Sequence, residues 1–338
     1  MSDIERRKRE HIHVVLSGAA KHSLPAGFDA LRFRHNALPE VDYEAIDLST
    51  RFMGKPLRLP YLASSMTGGP DAAARINRAI AEAAQQLGFA MGVGSQRISL
   101  TTPERFGLNL ELRRIAPDAL ILGNLGAVQL THGMGLEEAR RAVDELGADG
   151  LILHLNPLQE ALQPEGDRNW HGVEAAISRL TRVLPVPVIA KEVGSGISAE
   201  VARRLADCGV AAIDVAGSGG TSWAAVEGKR AAGEAGEALG EIFRDWGIPT
   251  ATCLAEVRAA LPDMPLIASG GLRHGLDGAK AVRLGANLLG QAAALLPAAI
   301  NGPEAVIAHV EAFATALRIA CLATGSRNLT ELGRAAVC

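Results

Sequence analysis

Four side chains suited to metal binding, proton transfer or hydrogen bonding lie within the seven residues HLNPLQE, 154–160. Glu160 offers the hard carboxylate oxygens that Mg²⁺ prefers when it also binds the phosphate oxygens of a substrate. His154 and Asn156 could orient the waters around such an ion, and Gln159 could reach the reacting atoms. The alternative is a hydrogen-bonded core histidine followed by an exposed Gln159 and Glu160.

The elements that must position these side chains alternate between short apolar runs and amphipathic helical stretches from Tyr61 onward. The runs are YLASSM, FAMGVGS, ALILGNLG, GLILHLN, PVIAKEVG, AAIDVAG, PLIASGG and NLLGQAA. Apolar strands separated by helices indicate a parallel sheet covered on both faces. Eight units predict an α/β protein with a (β/α)8 TIM barrel over 61–338 and an N-terminal extension over 1–60. An open doubly wound sheet is the alternative, but no G-x-G-x-x-G follows the first strand.

Helix boundaries are marked by small residues. The sequence predicts helix ends at Gly88, Gly147, Gly209 and Gly285, and a helix start at Thr102-Pro103. After strand four, the sixteen residues PLQEALQPEGDRNWHG predict a long loop that acts as a functional lid.

The carboxyl ends of the strands should line the active site, as they do in this fold. Ser269-Gly270-Gly271-Leu272-Arg273 follows strand seven, and Gly290-Gln291-Ala292 follows strand eight. TIM barrels often bind a phosphate at these two positions, because glycine lets backbone N–H groups approach the oxygens. The alternative is that the glycines only form tight turns.

Other strand ends add charge and polarity. Lys191 ends strand five, where its ammonium group should face an electron-rich partner such as the N1–C2=O edge of a flavin. The alternative is a salt bridge to Glu192 or to another carboxylate at the barrel end. Strands one to three end in SSMTGG, GSQR and GN, which supply a polar edge for a flat heterocycle and an arginine for phosphate.

Composition excludes several classes of function. The 338 residues are 48% hydrophobic and only 4% aromatic, with a net charge of −3, so nucleic-acid and membrane-surface binding have little support. The N-terminus lacks the apolar core of a signal peptide, and no unbroken apolar stretch predicts a membrane span. A soluble cytoplasmic protein is expected. Four dispersed cysteines suit a reducing compartment: Cys208, Cys253, Cys321 and Cys338.

A family resemblance emerges when the motifs are taken in order. Arg7-Lys8-x-x-His11, MTGG, GSQR, HLNPLQE, AKEVGSGIS and GSGGTSWAAVE together resemble the type 2 isopentenyl-diphosphate isomerases. The resemblance covers nearly the whole chain. It implies an FMN-dependent (β/α)8 enzyme that interconverts isopentenyl and dimethylallyl diphosphate with reduced flavin and Mg²⁺. NADPH would reduce the flavin, and a homotetramer or homo-octamer is typical of the family.

The resemblance also implies roles for individual residues. The diphosphate substrate would be bound by Arg7, Lys8, His11, Ser95, Arg97, Asn156 and Gln159, and Mg²⁺ by Glu160. The residues near the reacting alkene would be His154, Gln159, Trp223 and Glu227. FMN would be held by Ser65, Met66, Thr67, Ser95, Asn124, Lys191, Thr221, Gly270, Gly271, Leu272, Gln291 and Ala292. Ala216 departs from the serine expected in many members, which puts one FMN phosphate contact in doubt.

Two alternatives share the barrel. An FMN-dependent 2-hydroxy-acid oxidoreductase needs a histidine base and an arginine after strand six, in a pattern like SNHGGR. The chain has AGSGGTSW there, 216–223, with neither residue. A flavin-binding protein without catalytic activity would not need both Glu160 and the basic N-terminus. That basic segment, 6–11, would be a solvated tail unless it folds over the barrel mouth.

Overall fold

The computed structural model describes residues 3–66, 70–101, 107–231 and 233–338. Within these residues, parallel strands close a barrel in chain order, with the last strand pairing to the first. The barrel strands are β3 (Tyr61–Ala63), β4 (Ala90–Gly92), β5 (Ile121–Gly126), β6 (Gly150–Leu155), β7 (Val188–Glu192), β8 (Ala212–Asp214), β9 (Leu266–Ala268) and β10 (Leu288–Gln291). Each lies inside one of the eight apolar runs, so the predicted TIM barrel is confirmed.

Helices surround the barrel and bury their apolar faces against it. They are α1 (Asp3–Leu16), α2 (Pro70–Leu87), α3 (Arg97–Thr101), α4 (Leu110–Ile115), α5 (Leu136–Leu146), α6 (Pro157–Leu162), α7 (Val173–Val183), α8 (Ala199–Asp207), α9 (Trp223–Arg230), α10 (Glu234–Ile242), α11 (Thr250–Ala260), α12 (Gly275–Arg283), α13 (Leu296–Asn301), α14 (Pro303–Thr324) and α15 (Leu329–Leu332). Short 3₁₀ turns cover Phe28–Ala30 and Ala127–Thr131.

Alternation along the strands separates the barrel interior from the layer beneath the helices. One buried cluster joins inward-facing residues of the barrel strands to Phe52 and Leu57, and a second lies between strands and helices. Phe52 and Leu57 come from the antiparallel pair β1 (Thr50–Phe52) and β2 (Lys55–Leu57). This hairpin therefore closes the amino-terminal end of the barrel with apolar side chains.

The rest of the N-terminal extension reaches the opposite end. Helix α1 packs against α9, and Lys21 forms an antiparallel bridge with Thr221 in the loop after β8. Phe33 forms an antiparallel bridge with Val337, which lies near the C-terminus. The predicted basic segment thus belongs to a helix whose chain continues over the carboxyl end of the barrel.

Local predictions were mostly confirmed. Gly88, Gly147, Gly209 and Gly285 each follow a helix with positive φ. The Thr102-Pro103 helix start lies outside the described residues. The sixteen-residue loop prediction was wrong in its first part, because proline at the first helical position lets residues 157–162 form α6.

Helix α14 is long and apolar enough to cross a membrane by length and composition alone. Its apolar residues are interrupted by Glu311 and Arg318, so the expectation that no unbroken apolar stretch spans a membrane stands. In the fold, Val306, Val310, Phe313 and Leu317 are buried, and the helix packs on α2, α12 and α13. A core helix of a barrel passes the same test, so the match is weak support for a membrane span.

Candidate active site at the barrel mouth

Polar side chains replace apolar ones in the last inward-facing layer of the barrel. Asn124, His154, Lys191 and Asp214 each lie two residues after an inward-facing apolar residue on β5, β6, β7 and β8. Ser269 takes the same position after β9 and donates a hydrogen bond to Asp214 Oδ1 at 2.7 Å. A polar ring thus lines the carboxyl end of the barrel, where the sequence predicted the active site.

His154 is a neutral member of this ring. Asn124 donates from Nδ2 to the carbonyl of Val93 at 3.1 Å, so its Oδ1 accepts from His154 Nδ1–H at 2.7 Å. Burial, with a smaller contribution from the Lys191 charge, lowers the pKa of His154 to about 4. His154 is therefore uncharged near neutral pH, with Nε2 left as an acceptor.

Lys191 has a carboxylate neighbour inside the barrel. Its Nζ donates to the backbone oxygen of Glu192 at 2.8 Å and lies 3.6 Å from Asp214 Oδ2. The Glu192 side chain turns away and accepts backbone N–H groups of the following loop, including those of Val193 and Gly194 at 2.7 Å. The ion pair predicted as an alternative thus forms with Asp214, while the Lys191 side chain still faces the barrel interior.

The first turn of α6 organises the predicted metal ligand. Glu160 is only 7% exposed, and its Oε1 accepts from Asn156 Nδ2 at 3.0 Å. Its Oε2 accepts the backbone N–H of Asp167 at 2.7 Å. Asn156 Oδ1 is buried with no hydrogen-bond partner among the described residues. The Glu160 carboxylate suits Mg²⁺, whose remaining positions would need substrate phosphate oxygens and water.

Glu227 on α9 connects three elements. Its Oε1 accepts from Gln159 Nε2 at 2.8 Å and from His11 Nε2 at 3.0 Å, and its Oε2 pairs with Arg230. Burial favours a higher pKa for Glu227, but the hydrogen bonds from His11 and Gln159 and the Arg230 charge outweigh it and lower the pKa. Glu227 is a carboxylate at neutral pH. Trp223 packs edge-on against the His11 ring at 5.0 Å.

A cleft lies beside this network. Gln159 and Trp223 line a small cleft together with Leu158, Ser222 and the loop after β7. Its walls combine an indole and an aliphatic side chain with the Gln159 amide. Such a lining suits a small, largely apolar group held next to polar atoms.

Arg97 at the start of α3 has an internal partner. Its Nη1 lies 3.2 Å from Asp167 Oδ2, and the same Asp167 donates its backbone N–H to Glu160. The predicted diphosphate arginine and the predicted metal ligand are therefore brought to one residue of the loop after α6. A bound diphosphate would compete with Asp167 for Arg97.

The glycine-rich loops after β8 and β9, where the cofactor phosphate was predicted, pack closely against each other. A Cβ on Gly220 would lie 2.7 Å from the backbone nitrogen of Gly271, and one on Gly271 would lie 2.6 Å from the oxygen of Gly219. Gly270 and Gly271 also have positive φ, at 96° and 75°. The two loops need glycine to come this close.

The other side of the mouth fits the ring of a flavin. Ser65 Oγ is buried and has no hydrogen-bond partner among the described residues, which leaves it available to a bound group. Met66, Ser95, Thr221 and Ala292 are partly exposed at the same strand ends. FMN would fit the residues present with its phosphate at the glycine loops and its ring over the polar layer.

Some predicted residues are placed differently or lie outside the description. Gln291 alternates to the outer face of β10, where Tyr61 and His309 donate to its Oε1 and it donates to the backbone oxygen of Leu272. Only the backbone of Gln291 can therefore face a ligand in the barrel. Leu272 itself is buried in the core. Thr67 and the side chains of Arg7 and Lys8 lie outside the described residues.

Three charged residues of the site were not predicted. Asp167 and Arg230 lie in a loop and at the end of a helix, where charged residues are ordinary and carry no pattern. Asp214 had a usable pattern, because an aspartate follows the apolar residues of strand six in AAIDVAG. A charge at the end of a barrel strand is costly without a role.

Comparison with known proteins decides the family. Residues 156–338 match the family model described as FMN-dependent dehydrogenase. The chain is 59% identical over 97% of its length to an isopentenyl-diphosphate delta-isomerase of Xanthobacter autotrophicus, 96% of which is covered. It is 57% identical to that of Stutzerimonas stutzeri, covering 97% of this chain and 95% of the relative. The chain belongs to the isopentenyl-diphosphate delta-isomerase family.

The isomerase family membership confirms the resemblance drawn from the motifs, and the matched family description names the predicted cofactor, FMN. Solved structures agree on the fold. A mandelate oxidase variant is 17% identical with a TM-score of 0.69, covering 100% of this chain and 99% of that one. A lactate oxidase of Pediococcus acidilactici is 17% identical with a TM-score of 0.67, covering 100% and 94%. At this identity, the isomerase shares only the barrel with these oxidases.

Proposed function

We propose that this enzyme interconverts isopentenyl diphosphate and dimethylallyl diphosphate through a proton added at C4 and a proton removed at C2. One observation carries the proposal: Gln159 and Glu160 on α6, Glu227 on α9 and His11 on α1 meet at one rim of the barrel. Three separate elements thus combine a metal ligand, a carboxylate and a basic helix suited to an anion. The isomerase names of the relatives support the same conclusion.

The diphosphate end of the substrate would be bound by charge. Glu160 and Asn156 Oδ1 would hold Mg²⁺ against the phosphate oxygens, and Arg97 would exchange Asp167 for the same oxygens. Arg7 and Lys8 would add positive charge from α1. These contacts fix the reacting alkene in the cleft beside Trp223 and exclude water from it.

Reduced FMN, when bound, supplies an electron-rich ring that can hold a proton near N5 and stabilise positive charge at C3. Glu227 is a carboxylate held by two hydrogen bonds and one ion pair, so it would fix the positions of Gln159 and His11 beside the alkene. His154 is neutral and acts by orienting groups through Nε2. The face of Trp223 would stabilise the cationic carbon.

The oxidoreductase alternative rests on the shared barrel alone. Hydride removal from a 2-hydroxy acid needs a base and an arginine close to the flavin after strand six. Residues 216–223 contain neither, and the loop instead approaches the β9 loop through glycines. The site therefore contains more of the groups that the isomerisation needs than of those that the oxidation needs.

We expect NADPH to be the reductant, Mg²⁺ to be required, the assembly to be a homo-oligomer and the location to be the cytoplasm. Oxidised enzyme should be inactive until NADPH or dithionite is added under anaerobic conditions. One reduction should then support many turnovers, because substrate and product are isomers. In D₂O the product should contain deuterium. One NADPH consumed per product would instead mean a net reduction and would contradict the proposal.

A further inference from the structure

Asp214 is a buried carboxylate without a role in the proposed reaction. It is fully buried at the end of β8, where Lys191 on β7 is its register partner. Lys191 is in turn the register partner of His154 on β6. Three neighbouring strands thus place a neutral imidazole, an ammonium group and a carboxylate side by side on the inner wall, directly below the mouth.

Asp214 is held in place by a hydrogen bond from Ser269 and by its ion pair with Lys191. Oδ1 accepts from Ser269 Oγ at 2.7 Å. Oδ2 lies 3.6 Å from Lys191 Nζ and has no hydrogen-bond partner among the described residues. Lys191 donates instead to the backbone oxygen of Glu192. At this separation the ammonium group of Lys191 can still act on a group in the mouth. The negative charge of Asp214 offsets part of its positive charge.

Fold stability alone does not explain why a carboxylate is buried at this position. Replacing a buried ion pair with apolar residues is often neutral or stabilising, so the pair is weakly explained by fold stability. A positive charge under the flavin favours the reduced ring, which carries more negative charge than the oxidised ring. A negative charge behind that cation opposes the effect, because Coulomb interactions are little screened inside a protein.

We propose that Asp214 is a positioning residue that offsets the charge of Lys191 and thereby sets how strongly the site favours reduced FMN. The inference rests on the proposed placement of FMN over the polar layer. It does not depend on the isomerase reaction, since the flavin potential is measured in the absence of a diphosphate substrate. Asp214 would act on every reduction of the cofactor, whichever reductant supplies the electrons.

The test is the midpoint potential of the bound flavin in Asp214→Asn holoenzyme. Asparagine keeps the shape and can keep the Ser269 contact, but it removes the charge. At a fixed potential, the ratio of reduced to oxidised FMN should rise at least tenfold, which is about 30 mV for a two-electron couple. Because burial raises the pKa of Asp214, the potentials are compared at several pH values, and the difference between variant and wild type should grow as the pH rises. An unchanged or lower potential with FMN still bound would overturn the proposal.

Further variants test whether the effect belongs to this pair of charges. Asp263→Asn removes an exposed carboxylate before β9 at the opposite end of the barrel, so its potential should match that of the wild type. Lys191→Met should lower the potential. In that variant the buried Asp214 loses its cation and should take up a proton, so adding Asp214→Asn should change the potential little further. If Asp214→Asn does not fold, Asp214→Ser makes the same test with a smaller neutral side chain, and an unchanged or lower potential in it would equally overturn the proposal.

Discussion

Glu160 is a carboxylate whose two oxygens are held by different parts of the chain. Asn156 donates to Oε1 and the backbone of Asp167 donates to Oε2, so the group is positioned before any ion binds. Preorganised ligands lower the cost of ordering a metal site. The neighbouring Gln159 uses its amide for Glu227 and not for Glu160. Adjacent residues of one helix turn therefore serve two different parts of the site.

Glu160→Gln should reduce Mg²⁺-dependent turnover by about a hundredfold or more while FMN stays bound, because an amide loses the charge that holds a hard cation. Activity is measured across a Mg²⁺ titration, with the flavin spectrum as the readout of cofactor binding. Glu165→Gln, an exposed residue of the same loop, is the matched control and should behave as the wild type. Full activity of Glu160→Gln at low Mg²⁺ would exclude Glu160 as the ligand.

His154 should make the protein sensitive to acid. Its pKa is about 4 in the folded state against 6.5 for an unperturbed histidine, so the unfolded chain binds the proton first. The free energy of unfolding should therefore fall as the pH drops from 6.5 to about 4, and this contribution should be constant below that range. Urea unfolding at pH 7.5 and pH 5 should show a smaller loss for His154→Gln than for the wild type.

The control for this comparison is His171→Gln, which changes an exposed histidine of the loop after α6. Its loss of stability between the two pH values should equal that of the wild type. An equal loss in His154→Gln as well would mean that His154 is not held neutral in the folded protein.

At the scale of elements, the segment after α1 is held by the turn that follows α10. Asp245 Oδ1 accepts the backbone N–H of Ser23 at 2.7 Å, and Arg244 donates to the backbone oxygen of Lys21 at 2.7 Å. Lys21 in turn bridges Thr221 in the predicted cofactor loop. The position of α1, and with it His11, therefore depends on contacts far from α1 itself.

Asp245→Ala should raise KM for the diphosphate substrate by about two- to tenfold, with a smaller change in kcat, because α1 must then be ordered when the substrate binds. Steady-state kinetics at saturating Mg²⁺ provide the measurement. Asp263→Ala, an exposed residue before β9 at the opposite end of the barrel, is the control. Equal KM values in the two variants would show that this segment does not position α1.

Sequence patterns predicted what is local in this fold. All eight strands were identified because each is a short apolar run that ends in polar residues. The helix ends were identified because glycine commonly follows the last turn of a helix, where φ is positive. The contacts of Asp167 with Arg97, and of Lys21 with Thr221, were not found. They join residues far apart in the chain, and only barrel closure brings them together. Gln291 was predicted to line the mouth because the sequence located its strand but did not show which side chains of that strand point into the barrel.

At the scale of the whole molecule, the first sixty residues of the chain contact both ends of the barrel. Phe52 is 3% exposed and packs with inward-facing residues such as Leu62 and Ile152 at the amino-terminal end. Phe52→Ala should lower the free energy of unfolding by about 3–5 kcal/mol through the cavity that it leaves. Activity at 25 °C should change little, because the polar ring lies at the other end.

Chemical denaturation and kcat measured on the same preparation check this separation of stability from catalysis. Leu38→Ala removes an aliphatic side chain that is 77% exposed, so it should have little effect on either quantity. A large loss of kcat in folded Phe52→Ala would mean that the hairpin also shapes the mouth.

Closure of the barrel pairs β10 with β3, so Leu289, Gly290 and Gln291 bond to a strand more than two hundred residues earlier. During synthesis on the ribosome, one edge of β3 therefore remains unpaired until almost the entire chain has been made. The phosphate cradle also lacks its neighbour from β10 until then. Uptake of the yellow cofactor should consequently report that synthesis is complete, and truncated translation products should remain colourless.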